Sequence, residues 1–128
     1  MGINQVLIVD DEEPIRALLQ RCVKLARPAC RVVTATNGTE ALARLQTQPF
    51  DLIILDYQMP RMNGLDLAQA ARQLRPAIKL MLITGSRPEA VSRAIDQNIF
   101  DGYLDKPFTP EQFITMLNNI EHRLKIFT

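Results

Sequence analysis

Five short aliphatic runs that do not alternate with polar residues constrain this chain more tightly than any other feature. They fall at residues 6–9, 32–35, 52–55 and 80–83, with a weaker one at 103–104. A strand with one face in water alternates apolar and polar side chains, whereas a run that is apolar at every position needs cover on both faces. A parallel sheet sandwiched between helices gives that cover. The intervening segments have the matching helical spacing: Ile15, Leu18, Leu19, Cys22 and Ala26 make one stripe, and Leu67, Ala68, Ala71 and Leu74 a second. Ala90, Val91, Ala94 and Ile95 repeat it, as do Phe113, Leu117, Ile120 and Leu124.

Chain-breaking residues respect the same division. Pro14, Pro88 and Pro110 fit first-turn helix positions, with Thr109 as an N-cap. Asn37-Gly38, Pro49, Asn63-Gly64 and Pro76 fall between the periodic segments. Five strands and five helices in strict alternation give an α/β fold, (βα)5, with helices on both faces of a doubly wound parallel five-stranded sheet. With 128 residues and no repeat, low-complexity tract or linker, the sequence reads as one domain over residues 1–128.

Several function classes drop out at this level. A formal net charge of +1 gives no electrostatic reason to expect nucleic acid or an anionic membrane as the main partner. No apolar run approaches the roughly 20 residues that span a bilayer, and residues 1–5 lack a secretory pattern, so a cytoplasmic location is expected. Cys22 and Cys30 lack metal-type spacing and histidine neighbours, and read as free thiols. His122, the single histidine, reads as a solvated helix residue.

The informative polar residues all follow strands. Asp10 and Asp11 come after the first, Asp56 after the third, Thr84 after the fourth and Lys106 just past the fifth. These are carboxyl ends of strands, the edge at which open α/β sheets bind ligands. Singly, each is ordinary: a turn former, a helix cap, a surface lysine. Together, four strands deliver complementary chemistry to one edge. Three close carboxylates repel, and a divalent oxygen-loving cation removes that conflict. Asp10 and Asp11 then serve as metal-site acids and Asp56 as a nucleophile, with Lys106 and Thr84 placed to contact a phosphoryl group. The chemistry inferred is phosphoryl transfer onto Asp56, assisted by Mg²⁺ with Mn²⁺ as a substitute.

These residues resemble the receiver domains of two-component response regulators over essentially the whole chain. "VLIVDDEEPIR" is similar to the family's acidic-pair segment, "DLIILDYQMPRMNG" to its phosphoacceptor segment, "MLITGS" to its hydroxyl segment and "GYLDKPF" to its lysine-proline segment. The resemblance implies a flavodoxin-like sheet of strand order 2-1-3-4-5 and a phosphoacceptor at Asp56. It further implies Mg²⁺ held by Asp10, Asp11, Asp56 and the backbone carbonyl of Tyr57, with Asp11 a direct ligand. Lys106 would contact the phosphoryl group through a segment whose Lys106–Pro107 bond is cis. Thr84 would move toward the phosphoryl oxygens while Tyr103 turns inward as an aromatic switch. Gln58 and Ser86, two residues after Asp56 and Thr84, would tune the lifetime of the phosphoaspartate.

The implied partners are a sensor histidine kinase or phosphotransfer protein as donor, and an effector or fused output domain. The effector would meet a surface on the fourth helix, fifth strand and fifth helix. A homodimer formed on phosphorylation is a further partner compatible with the resemblance. Such a chain is a signalling switch rather than an enzyme, although it would catalyse its own phosphorylation from small phosphodonors and its own dephosphorylation. Many relatives carry Gly-Ala before the last strand where this chain has Ile99-Phe100, and Asn98 is expected to supply the left-handed turn. A haloacid dehalogenase-type phosphatase would want a second Asp where Gln58 stands. A flavodoxin-like flavin carrier would not place Asp10-Asp11-Glu12-Glu13 against a phosphate, and no P-loop run exists. The remaining alternative is a pseudo-receiver, an interaction module that is not phosphorylated, against which the complete acid, hydroxyl and lysine set argues.

Overall fold

Strand and helix alternate strictly along the chain. In the computed structural model, which describes the backbone of residues 2–126 and side chains as far as His122, the order is β1 (Gln5–Val9), α1 (Glu13–Ala26), β2 (Arg31–Ala35), α2 (Gly38–Thr47) and β3 (Leu52–Asp56). It continues with α3 (Gly64–Leu74), β4 (Lys79–Thr84), α4 (Glu89–Asp96), β5 (Gly102–Asp105) and α5 (Pro110–Ile126). All strand pairs are parallel, in the order β2-β1-β3-β4-β5. The absence of alternation has its expected cause: every residue of β3 is buried. Ile53 and Leu55 face a layer built with α2, α3 and α4, while Leu52 and Ile54 face one built with α1 and α5.

At the margins the pattern relaxes. Val32, Val33 and Thr34 are only half-buried because β2 is an edge strand. Leu74, at the end of α3, is 40% exposed, and Ala90, in the first turn of α4, is also exposed. Helical spacing alone assigned both to the core, but the short α4 buries only Val91 and Ala94. Pro88 stands at the N-cap of α4 rather than inside its first turn. The side chain of Leu124, the last member of the α5 stripe, lies outside the described residues.

Helix starts follow local chemistry. Asn37 and Asn63 each accept a backbone N–H three residues on. Thr109 and Gln112 form a reciprocal capping box: the Gln112 N–H donates to Thr109 Oγ1 at 3.1 Å and the Thr109 N–H to Gln112 Oε1 at 2.9 Å. Asn98 takes the left-handed turn, with φ 58°, and this seats Phe100 in the α4 layer.

Three acids away from the carboxyl edge tie elements together. Asp51, one residue before β3, accepts the Asn4 and Gln5 N–H groups at 2.8 and 2.9 Å. Asp101, one residue before β5, accepts the Leu80 N–H at 2.8 Å and pairs with Arg72 at 3.2 Å and Lys79 at 3.9 Å. On the α1–α5 side, Glu121 accepts the Ile3 N–H at 2.9 Å and two bonds from Arg27, whose guanidinium also donates to Asn118.

Candidate functional site

Strands β1 and β3 are neighbours, so their carboxyl ends bring Asp10 and Asp56 side by side. Both are buried, whereas Asp11 is exposed, and one carboxylate oxygen from each of the three lies within 4.8 Å of the others. Asp10 Oδ1 accepts the Glu12 N–H at 2.8 Å. Its Oδ2 is buried with no hydrogen-bond partner among the described residues, and Lys106 Nζ lies 3.6 Å away, inside ion-pair range but outside bonding range. Lys106 Nζ instead donates to Asp56 Oδ2 at 3.0 Å, and stands 4.0 Å from Glu12 Oε1. Asp56 Oδ1 accepts the Gln58 N–H at 3.3 Å.

One ammonium therefore faces three carboxylates, those of Asp10, Glu12 and Asp56. Burial pushes the Asp10 carboxyl above its ordinary range; the Glu12 N–H and Lys106 oppose this, while the charges of Asp56 and Asp11 add to it. Burial also works against the Lys106 charge, but the hydrogen bond to Asp56 and the attraction of Asp10, Asp56 and Glu12 outweigh it and raise the lysine pKa. The donor set fits a hard divalent cation: the ligands are all oxygen, negative charge is in excess, and a buried carboxylate oxygen lacks a hydrogen-bond partner among the described residues. The Tyr57 carbonyl accepts the Gly64 N–H at 2.8 Å and keeps a second lone pair.

Thr84 closes β4, opposite Asp105 in register, and is wholly buried. Its hydroxyl donates to the Ser86 carbonyl at 2.6 Å, so it is turned into its own loop. Ser86 Oγ accepts from Gln58 Nε2 at 3.2 Å, a bridge between the two loops that leave β3 and β4. Tyr103 is half-buried on β5, and the Lys106–Pro107 bond is cis. Gly64 has no room for a side chain: a Cβ there would stand 2.6 Å from the Asp56 carbonyl oxygen and 2.8 Å from Tyr57 Cα. That close approach folds the segment after Asp56 back onto it.

Two residues at this edge escaped the sequence. Arg87 donates to both carboxylate oxygens of Asp105, at 2.7 and 2.6 Å, and its guanidinium carbon lies 4.5 Å from the centre of the Tyr103 ring. Strand alternation puts Asp105 on the side of Tyr103, a weak signal; nothing in the sequence around Arg87 marks its partner. Glu12, third in the acidic run, completes the set around Lys106.

A doubly wound parallel sheet with an acidic pocket, a hydroxyl and a lysine at its carboxyl edge defines the class: a flavodoxin-like α/β fold with a candidate metal and phosphoryl site. The chain belongs to the response regulator receiver domain family, whose sequence profile matches residues 6–118. It is 32% identical over 124 residues to the alkaline phosphatase synthesis transcriptional regulatory protein PhoP of Bacillus subtilis, covering 96% of this chain but 50% of PhoP. It is 32% identical over 122 residues to the response regulator receiver protein CpdR of Brucella abortus, covering 95% of this chain and 98% of CpdR. Among solved structures, chemotaxis protein CheY4 of Vibrio cholerae superposes with a TM-score of 0.80 at 32% identity, over 93% of this chain and 99% of that one. The chain is thus a receiver domain of two-component signalling, a class that works with histidine kinases. Among the described residues no helix is long and apolar enough to cross a membrane.

Proposed function

We propose that the chain accepts a phosphoryl group on Asp56 and passes the change to a partner-binding surface. The observation that carries this reading is the grouping of three carboxylate oxygens within 4.8 Å of one another beside Lys106, with the buried Asp10 Oδ2 lacking a hydrogen-bond partner among the described residues. A purely structural acid would be satisfied. Asp10, Asp11, Asp56 and the Tyr57 carbonyl would hold Mg²⁺, or Mn²⁺ in its place, and that cation would offset the charge gathered on the acids and the phosphoryl oxygens.

The chain's own residues do the rest. A carboxylate oxygen of Asp56 attacks phosphorus of a phosphohistidine on a sensor kinase or phosphotransfer protein. The P–N bond breaks, and its electron pair stays on the imidazole nitrogen. Lys106, already bonded to Asp56, follows the negative charge onto the phosphoryl oxygens. Thr84 exchanges the Ser86 carbonyl for a phosphoryl oxygen, and Tyr103 turns into the space this vacates. Gln58 and Ser86 face the approach of water and set how long the acyl phosphate survives. The surface formed by α4, β5 and α5 is the part that an effector, a fused output domain or a second copy would meet.

Intact-mass analysis after incubation with phosphoramidate tests the reading, with and without Mg²⁺, on wild type and Asp56→Asn. One phosphoryl mass, present only with metal and missing from the variant, is the expected result. No adduct in any condition, with recovery checked on an established receiver, would replace this reading by the pseudo-receiver.

A further inference from the structure

The turn that leaves β4 is tied down at both ends. At its start the Thr84 hydroxyl is held by the Ser86 carbonyl, and Ser86 Oγ by Gln58. One residue later Arg87 reaches across to β5 and forks both oxygens of Asp105, at 2.7 and 2.6 Å. Asp105 lies opposite Thr84 and immediately precedes Lys106. The same guanidinium covers the Tyr103 ring at 4.5 Å. One side chain thus grips the strand residue beside the lysine and the aromatic ring together.

Geometry gives this exposed pair its weight. Isolated surface ion pairs contribute little, but two parallel charge-assisted bonds fix both the direction and the plane of a guanidinium. We infer that Arg87 is a positioning residue, a latch that holds the 84–87 turn and the Tyr103 ring in the resting arrangement and must open before Thr84 faces a phosphoryl group. The inference rests on the phosphoacceptor reading above. Thr84 Oγ1 donates its single proton to the Ser86 carbonyl and accepts the Ser86 N–H at 3.3 Å; turning the side chain toward a phosphoryl group gives up both bonds and releases the segment that runs into Arg87, itself pinned on β5. Turning Tyr103 inward strips the guanidinium from its ring face. Both movements break the same latch, so they are linked through Arg87. A receiver whose competent state is a minor population reacts in proportion to that population, and removing the latch enlarges it.

The test uses the full chain with its two tyrosines replaced by 3-fluorotyrosine, the Tyr103 signal being assigned through Tyr57→Phe. Wild type, Arg87→Ala, Arg87→Lys and the exchange Arg87→Asp with Asp105→Arg are compared by the rate of adduct formation from phosphoramidate with Mg²⁺, and by fluorine NMR before the donor is added. Arg87→Ala should gain the adduct about fivefold faster. Its Tyr103 signal should already be displaced toward the position that phosphorylated wild type shows. Arg87→Lys, which keeps the charge without the fork, should resemble Arg87→Ala, and the exchange should restore both readouts. An Arg87→Ala rate equal to or below that of wild type, or an unmoved Tyr103 signal, overturns the latch while leaving the phosphoacceptor reading intact. A wild type that takes up no phosphoryl group overturns that reading, and the latch with it.

Discussion

Two pairs of aspartates sit at opposite ends of one sheet and meet opposite fates. At the amino edge, Asp51 and Asp101 each stand one residue before a strand and accept the N–H groups that begin the neighbouring strand. At the carboxyl edge, Asp10 keeps a buried oxygen without a hydrogen-bond partner, and Asp56 shares one lysine with Asp10 and Glu12. The difference comes from strand polarity. Parallel strands all present backbone N–H groups at their amino ends and carbonyl oxygens at their carboxyl ends. A carboxylate at the first edge finds strand donors ready-made; at the second, Asp10 and Asp56 each find a single loop N–H, from Glu12 and Gln58, for one oxygen, and the other oxygen must recruit a lysine or a cation. Acids at the first edge tie strands together, and those at the second are the ones the proposed phosphoryl transfer would use.

Substitutions at the two edges separate these roles. The largest effect is expected from Lys106→Ala: about 100-fold slower phosphorylation of Asp56 from a small donor, since the group that stabilises the transferred charge is gone. A rate within threefold of wild type, read by quenched-flow mass analysis, would remove Lys106 from the chemistry. Next comes Asp101→Ala, which strands the Leu80 N–H together with Arg72 and Lys79, and should cost about 3 kcal/mol in urea unfolding. Asp51→Ala, with two backbone donors left unpaired, should cost about 2 kcal/mol. If either staple variant matched wild-type stability, the contrast between the edges would fail.

The smallest effect has the opposite sign. Asp10→Asn should stabilise the protein by about 1 kcal/mol at neutral pH in chelator, because it removes a buried, poorly satisfied charge. The raised carboxyl pKa fixes the pH dependence. The folded state holds the Asp10 proton more tightly than the unfolded chain, so its contribution is fully present below the ordinary value of 3.8 and is lost as pH rises through the folded value. The stability gap between variant and wild type should accordingly widen from acid toward neutral pH. A gap that narrows along that course, measured by urea midpoints at matched ionic strength, would mean that Asp10 is better satisfied than its surroundings indicate.

The sequence was most legible where periodicity and chemistry coincided. Asp56 stood out because it ends a run with no polar interruption, and Lys106 because it follows the last strand. Asp51, at the other end of that same run, carried no comparable signal, because its meaning depends on the N–H groups of β1, which are remote in sequence and adjacent only after folding. Arg87 was illegible for a similar reason: its fork closes across 18 residues, between a loop and a strand. The strand order also lay beyond periodicity, which fixes alternation but not adjacency, and it came from the family resemblance. Leu74 and Ala90 had the right spacing for the core but stand at helix ends, where the neighbouring layer no longer covers them.

The bond from the Ile3 N–H to Glu121 spans 118 residues and joins the first strand's entry to the last helix. Arg27, at the end of α1, is held by the same carboxylate. No partial structure built from either half of the chain can make this closure, so it forms only when β1, α1 and α5 have all docked. An interaction absent from the folding transition state leaves the folding rate almost untouched and acts by slowing unfolding, so the expected effect of Glu121→Ala is a faster unfolding rate at unchanged folding rate. Glu121 thereby acts as a kinetic fastening, through which the entry to β1, the end of α1 and helix α5 are expected to be released together.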